Sequence, residues 1–532
     1  MELLLRILSL ILRIFSWIAS PIFWIMSTSG RKVPPIQNEI LLINARSLAE
    51  KIRRRELKSV DVVKAYVARI QEVNRLVNAV VEDRYCDAVL EAKAVDSYLD
   101  SIQSQKEELQ KVQRDQPLLG VPLTVKESCS LKGMSIATGS VSRIGLKAKE
   151  NGTAVANLLK AGAIPLLISN TPEYCFYWES NNLVTGLSKN PYNTAYSTGG
   201  SSGGEGALLG AGASLIGVGS DLLGSIRLPS YFNGVFGHKA TEYVTPIDQH
   251  FPSCEGETLR QFFSIGPMAR YADDLTLMLK LITSPHSSNL RLDEPVDLNK
   301  LRVYYMEETE SSLTLPQVDK EIKNAVVKSA NYLQRICGSQ LEDEKFDMEN
   351  LPEMICALMM SATDVPKILK DNNKNDHLLL EFVKNIFNQS KYSTHALLVS
   401  LVLHFNGGMP KGKKDIYGVA FDKMKRNLLE KLGDDGVLIL PTFPTLYQHN
   451  EFALKSIGIM YLGFCNLSGF PATQVPMGLN KKGLPIGIQV IATPHNDRLC
   501  LAVAKELEKG FSGWVPPQSS VKSQKLEING IS

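Results

Sequence analysis

The residues best suited to chemistry lie at 199–230, which read GGSSGGEGALLGAGASLIGVGSDLLGSIRLPS. Two glycine-rich turns bracket a helical run and then a strand-like run. Serines held in such turns fit a catalytic loop, a phosphate cradle or a flexible connector. A Walker-type nucleotide loop is excluded, because no Gly-Lys-Ser/Thr follows the glycines. Metal chemistry has no support either. The 8 histidines and 8 cysteines show no paired ligand spacing, so neither a metal nor a cofactor is expected. The cysteines are too sparse for a disulfide scaffold and are expected to be buried free thiols. Net charge is +3, from 58 Lys+Arg against 55 Asp+Glu. No long basic stretch is interleaved with aromatics, which argues against nucleic acid as a partner.

The same stretch closely resembles the signature of the amidase signature family. That pattern includes Gly-Gly-Ser-Ser-Gly-Gly and then Asp-x-Gly-Gly-Ser-Ile-Arg-x-Pro. LGVPLTVKES (119–128), NPYN (190–193), GPMARYADDL (266–275) and GLPIGIQVIA (483–492) extend the resemblance over roughly residues 40–515. The apolar N-terminus and the wording EGALLGAGAS make the chain most similar to the fatty-acid amide hydrolase branch. The resemblance implies an amide hydrolase, a lipid amide as substrate and a homodimer.

Carried over position by position, the resemblance assigns the nucleophile to Ser225, the relay to Ser201 and the base to Lys126. The chemistry is self-consistent. An amide needs a strong nucleophile and a protonated leaving amine, and a neutral lysine with a relaying serine can supply both. The N–H groups of Leu222, Leu223, Gly224 and Ser225 are expected to form the oxyanion hole, where one donor is typically worth about 2.7–4 kcal/mol. Ser202 is expected to shape the loop and steady Ser201, and Asp221 and Arg227 to form an organising ion pair. One position departs from the pattern: Leu223 stands where the family has glycine. A left-handed leucine costs roughly 1–2 kcal/mol, so strain or crowding of the oxyanion loop is expected there. Two rival readings remain open: an amidase for other amides or esters, and a catalytically impaired amidase-fold protein that binds lipid or a partner.

Regular elements must carry these residues. LGVPLTV (119–125) alternates as a strand and ends at Lys126. AIPLLIS (163–169), SLIGVGS (214–220), VLILPTF (437–443), PATQVPMG (471–478) and PIGIQVIA (485–492) read as strands, most of them short and apolar. Helical patterns lie between several of them. Ser59 is a plausible N-cap for VDVVKAYVARIQEVN, 88–115 reads as one charged helix, and LAVAKELEKGF closes the body. Alternating strands and helices predict an α/β fold, with one large mixed sheet flanked by helices over residues 29–516. A polar, disordered tail is expected from 517 to 532.

Residues 1–28 differ from the body. LLLRILSLILRIFSWIASPIFWIM (3–26) contains 14 Leu, Ile or Phe residues. These favour insertion by about 4–8 kcal/mol, against about 2.5–3.5 for each central arginine. Arg6, Ser9, Arg13, Ser16 and Ser20 fall on one stripe of a helix, which suits either a spanning helix or one lying in the interface. A membrane-associated, single-pass protein, at the endoplasmic reticulum or a lipid droplet, is the expectation. HALLVSLVLHF (395–405) is too short to span and reads either as a buried helix or as an interfacial dip. Three Asn-x-Ser/Thr sites occur, at Asn151, Asn388 and Asn466, about as many as chance provides.

Overall fold

The computed structural model describes residues 22, 25, 28–284, 289–309, 315–342, 346–362, 364–366, 368–371, 374–375, 377–404, 410–451 and 455–518. Apart from Ile22 and Ile25, the expected N-terminal helix (3–26) lies outside the described residues, as does the tail beyond 518. Among the described residues, no helix is long and apolar enough to cross a membrane.

Eleven strands form one mixed sheet. In chain order they are β1 (Val80–Asp83), β2 (Pro122–Lys126), β3 (Ile164–Ser169), β4 (Ile216–Asp221), β5 (Phe236–Lys239), β6 (Ser264–Ala269), β7 (Arg302–Tyr305), β8 (Gln340–Glu342), β9 (Gly436–Pro441), β10 (Ala472–Leu479) and β11 (Pro485–Ile491). Their spatial order is β1-β3-β2-β4-β6-β5-β10-β11-β9-β7-β8. β2 runs parallel to β3 and β4, β9 runs parallel to β7, and the centre from β4 to β9 is antiparallel. Every residue of β2, β3, β4, β6 and β9 is buried. That is why β3, β4 and β9 read as short, nearly continuous apolar runs instead of alternating ones.

All six strands expected from the sequence are present. The sheet adds β1, β5, β6, β7 and β8, which are short or carry glycine, proline or polar residues and so lack a periodic signal. The charged segment 88–115 is two helices, Tyr85–Ile102 and Lys106–Asp115, not one. Ser59 is the first helical residue, not the cap. The helix Ser59–Val77 is capped from outside, by Asp96, whose carboxylate accepts from Ser59 N–H (2.9 Å) and Val60 N–H (3.0 Å). Burial of the eight free thiols is only partial: four cysteines are buried, three are intermediate and Cys86 is exposed.

Candidate active site

β2 and β4 are parallel neighbours, in register at Val125 and Val218. Their C-terminal ends open on the same side of the sheet, where α/β proteins place their ligands. Lys126 is the last residue of β2, and Ser220 and Asp221 end β4. Two turns then reach over these ends. Ser201 and Ser202 precede the helix Gly203–Gly210, and Ser225 precedes the helix Arg227–Phe232. Ser201 follows a cis peptide bond from Gly200.

The structure brings the expected base and relay together. Lys126 Nζ donates to Ser201 Oγ at 2.7 Å and to Ser220 Oγ at 2.9 Å. Exposure rises along the path, from 0% at Lys126 through 1% at Ser201 to 7% at Ser225. Solvent therefore reaches the nucleophile end and not the base. Ser202 N–H donates to the Ser225 carbonyl (3.2 Å), and Ser202 Oγ bonds the Ser220 carbonyl (3.3 Å). Ser202 thus ties both turns to the end of β4. Among the described residues, no side-chain hydrogen bond joins Ser201 to Ser225. Such bonds often tighten only when substrate is present.

Asp221 and Arg227 do form the expected ion pair, at 3.2 Å with neither side chain exposed. Asp221 also accepts from Gly224 N–H (2.6 Å) and Ile226 N–H (3.1 Å), which folds the nucleophile turn around its carboxylate. Burial alone would push this carboxyl up. The Arg227 charge, the Arg227 and Asn466 hydrogen bonds and the Ile226 N–H outweigh it and hold the group at about 2. Arg227 donates further to Gln489 Oε1 (3.1 Å), to the Leu462 carbonyl (3.1 Å) and to Asn466 Oδ1 (2.5 Å). Asn466 Nδ2 returns to Asp221 Oδ1 at 2.9 Å.

Two expectations for the oxyanion loop need correction. First, the Gly224 N–H is held by Asp221 and is not free to serve as a donor. Among the described residues, the N–H groups of Leu222, Leu223 and Ser225 have no protein acceptor. Second, the left-handed position is Gly224 (φ 95°), and neither leucine adopts it. A Cβ at Gly224 would also lie 2.5 Å from Leu462 Cδ1. The glycine-specific geometry thus falls one residue after Leu223. Leu223 is half-buried, and its Cδ2 packs beside Gly463, where Ile355 also closes in. Its carbonyl accepts from Trp178 Nε1–H at 3.2 Å. Sequence reasoning missed Ser220, Asn466 and Gln489. Ser220 was recoverable, being a hydroxyl at the end of the strand next to that of Lys126. The other two come from distant segments with no local signal.

The sequence model of the Amidase family matches residues 61–501 of the chain. The chain belongs to the amidase family and is an amide hydrolase, acting on carbon–nitrogen bonds other than peptide bonds. Within that family it is similar to human fatty-acid amide hydrolase 2, at 39% identity over 91% of this chain and 92% of the relative. Fatty-acid amide hydrolase 2-A of Danio rerio is 37% identical over 96% of this chain and 97% of its own length. Among solved structures, a fatty acid amide hydrolase superposes with a TM-score of 0.69 at 23% identity, covering 89% of this chain and 86% of the other. A 6-aminohexanoate cyclic dimer hydrolase reaches 0.70 at 19% identity, covering 91% of this chain and 99% of the other, which is a likeness of fold.

Proposed function

We propose that the chain hydrolyses long-chain fatty-acid amides to a free fatty acid and an amine or ammonia, through an acyl-enzyme on Ser225. The observation that carries this reading is the Lys126 Nζ–Ser201 Oγ hydrogen bond of 2.7 Å between buried groups beneath the Ser225 turn. Ser225 Oγ attacks the amide carbon. Its proton passes to Ser201 as the Ser201 proton passes to Lys126. The carbonyl electron pair becomes an oxyanion, held by the N–H groups of Leu222, Leu223 and Ser225. On collapse the C–N bond breaks. The nitrogen leaves with its electron pair and takes a proton from Ser201, which is resupplied by Lys126. Water then repeats the sequence on the ester, releasing the acid and Ser225. Asp221, Arg227 and Ser202 hold the two turns in place. Esters are secondary substrates.

The substrate class rests on the relatives' names and on apolar surface. The helix Leu378–Ile386 and the turn after it expose Leu379 (77%), Ile386 (76%) and Phe387 (68%), and Leu398 and Val402 are exposed on the helix Thr394–His404. A cluster of that kind marks contact with a membrane or partner. With residues 3–26, it forms the proposed membrane attachment, through which a lipid amide enters. The chain is proposed to act as a homodimer on that surface.

Labelling with a fluorophosphonate probe tests the nucleophile. Wild type labels and Ser225→Ala does not; an unlabelled wild type removes the hydrolase mechanism. Oleamide is turned over faster than acetamide, and the reverse preference defeats the lipid assignment.

A further inference from the structure

Behind Ser220 lies a histidine that the mechanism above does not use. His250 Nε2 is 3.1 Å from Ser220 Oγ, and Nδ1 is 2.8 Å from the Pro252 carbonyl oxygen. The ring is buried and packs on Phe263, with centroids 4.6 Å apart. Its backbone is fixed against the segment that follows Lys126. Phe251 N–H donates to the Ser128 carbonyl (2.9 Å), and Ser130 Oγ donates to the Gln249 carbonyl (2.5 Å).

The hydrogen-bond roles follow from chemistry. A carbonyl oxygen only accepts, so Nδ1 carries the proton toward Pro252. Nε2 of the neutral ring is then an acceptor, and the proton it takes is that of Ser220. With its proton committed there, Ser220 Oγ offers Lys126 a lone pair and nothing else. Lys126 must use an N–H on Ser220, so in the neutral amine, the form that acts as base, the lone pair is left for Ser201 in place of the N–H donated there. Burial is the largest cause that pushes the His250 imidazole down to about 3, so the ring stays neutral.

We infer that His250 is a positioning residue for the general base: acting through Ser220, it directs the lone pair of Lys126 at Ser201. Without the Nε2 acceptor, the Ser220 hydroxyl is free to rotate and donate to the lysine, occupying the lone pair that catalysis needs. The inference rests on the Lys126–Ser201–Ser225 mechanism proposed above, and the experiment separates the two.

Steady-state kinetics on the full chain compare wild type, His250→Phe, His250→Gln and Ser220→Ala. Phenylalanine fills the space without an acceptor and is expected to lower kcat by about 10- to 100-fold with KM unchanged, the scale of a misplaced catalytic group. Glutamine keeps an acceptor and recovers most of that loss. In the Ser220→Ala background, His250→Phe adds no further loss, because its effect passes through Ser220. An unchanged kcat in His250→Phe, an equal loss in His250→Gln, or an additive loss in the double variant overturns the inference. Long-range 15N spectra of the histidine rings decide independently of turnover and of whether the phenylalanine variant folds. The Nδ1-protonated tautomer is expected, and an Nε2-protonated ring overturns the inference. Loss of fluorophosphonate labelling in wild type instead counts against the mechanism and leaves the tautomer result to decide the role of His250.

Discussion

Arg227 shows how much of the nucleophile turn depends on one side chain. It is buried beside Asp221 and donates to Asp221, Asn466, Gln489 and the Leu462 carbonyl. Removing one member of a buried ion pair strands the other charge, at about 3–5 kcal/mol. Arg227→Met is therefore expected to lower the unfolding free energy in urea by about that much, and an unchanged midpoint contradicts the network. His250 bears on acid stability. Its folded-state pKa is depressed to about 3, against about 6.5 for an unfolded histidine. Between these values the unfolded chain binds the proton and the folded chain does not, so stability is full above pH 6.5 and falls as pH drops toward 3. His250→Gln is expected to flatten the stability profile between about pH 6.5 and 4.5, read from thermal unfolding at each pH. Leu223→Gly is expected to cost about 1–2 kcal/mol, through added backbone entropy and the loss of leucine packing against Gly463 and Ile355. It is not expected to speed fluorophosphonate labelling, since Leu223 carries no left-handed strain. A faster variant reinstates crowding. At this scale Lys126, Ser201 and Ser225 were legible because each sits in a short stretch, 119–128 or 199–230, that resembles a family pattern, although Lys126 and Ser201 are 75 residues apart. Asn466, Gln489 and His250 were not, because their meaning comes from a partner 30 to 262 residues away.

At the scale of elements, legibility followed burial. β2, β3, β4 and β9 are buried throughout and carry apolar cores, which made them stand out. β5 reads FGHK and β8 reads QLE, and neither carries a period on which a strand assignment can rest. The start of the helix Ser59–Val77 makes the same point. Its cap comes from Asp96, 37 residues on, so the serine that looks like the cap is only its first turn. Asp96 also takes Arg55 Nη1 at 2.6 Å. Asp96→Ala is expected to destabilise the fold by about 1–2 kcal/mol, in the range of a lost cap, whereas Ser59→Ala costs less. Equal effects in urea unfolding indicate that the serine caps after all.

For the whole molecule, the proposed membrane attachment has two elements, the N-terminal stretch and the apolar surface of the helices Leu378–Ile386 and Thr394–His404. Two weak anchors together hold where one is reversible. Deleting residues 1–28, or combining Ile386→Lys with Phe387→Lys, is expected to reduce recovery with membranes by partial amounts, and both changes together release the protein. Full recovery after both contradicts the attachment. The sheet and the site end were legible from pattern, while of this patch only 395–405 was singled out, as either a buried or an interfacial helix, because exposure of an apolar residue depends on what the fold leaves uncovered. Asn466 carries one more consequence. It begins the triplet Asn466-Leu467-Ser468, yet it is buried and clamps Asp221 to Arg227. A carbohydrate attached there would displace the clamp, so a folded body cannot carry one. Asn388 is exposed and can. On the proposed attachment, sugar mapping of the native protein therefore reports membrane sidedness at Asn388 and at the partly exposed Asn151, while sugar at Asn466 identifies chains that never closed around their own nucleophile.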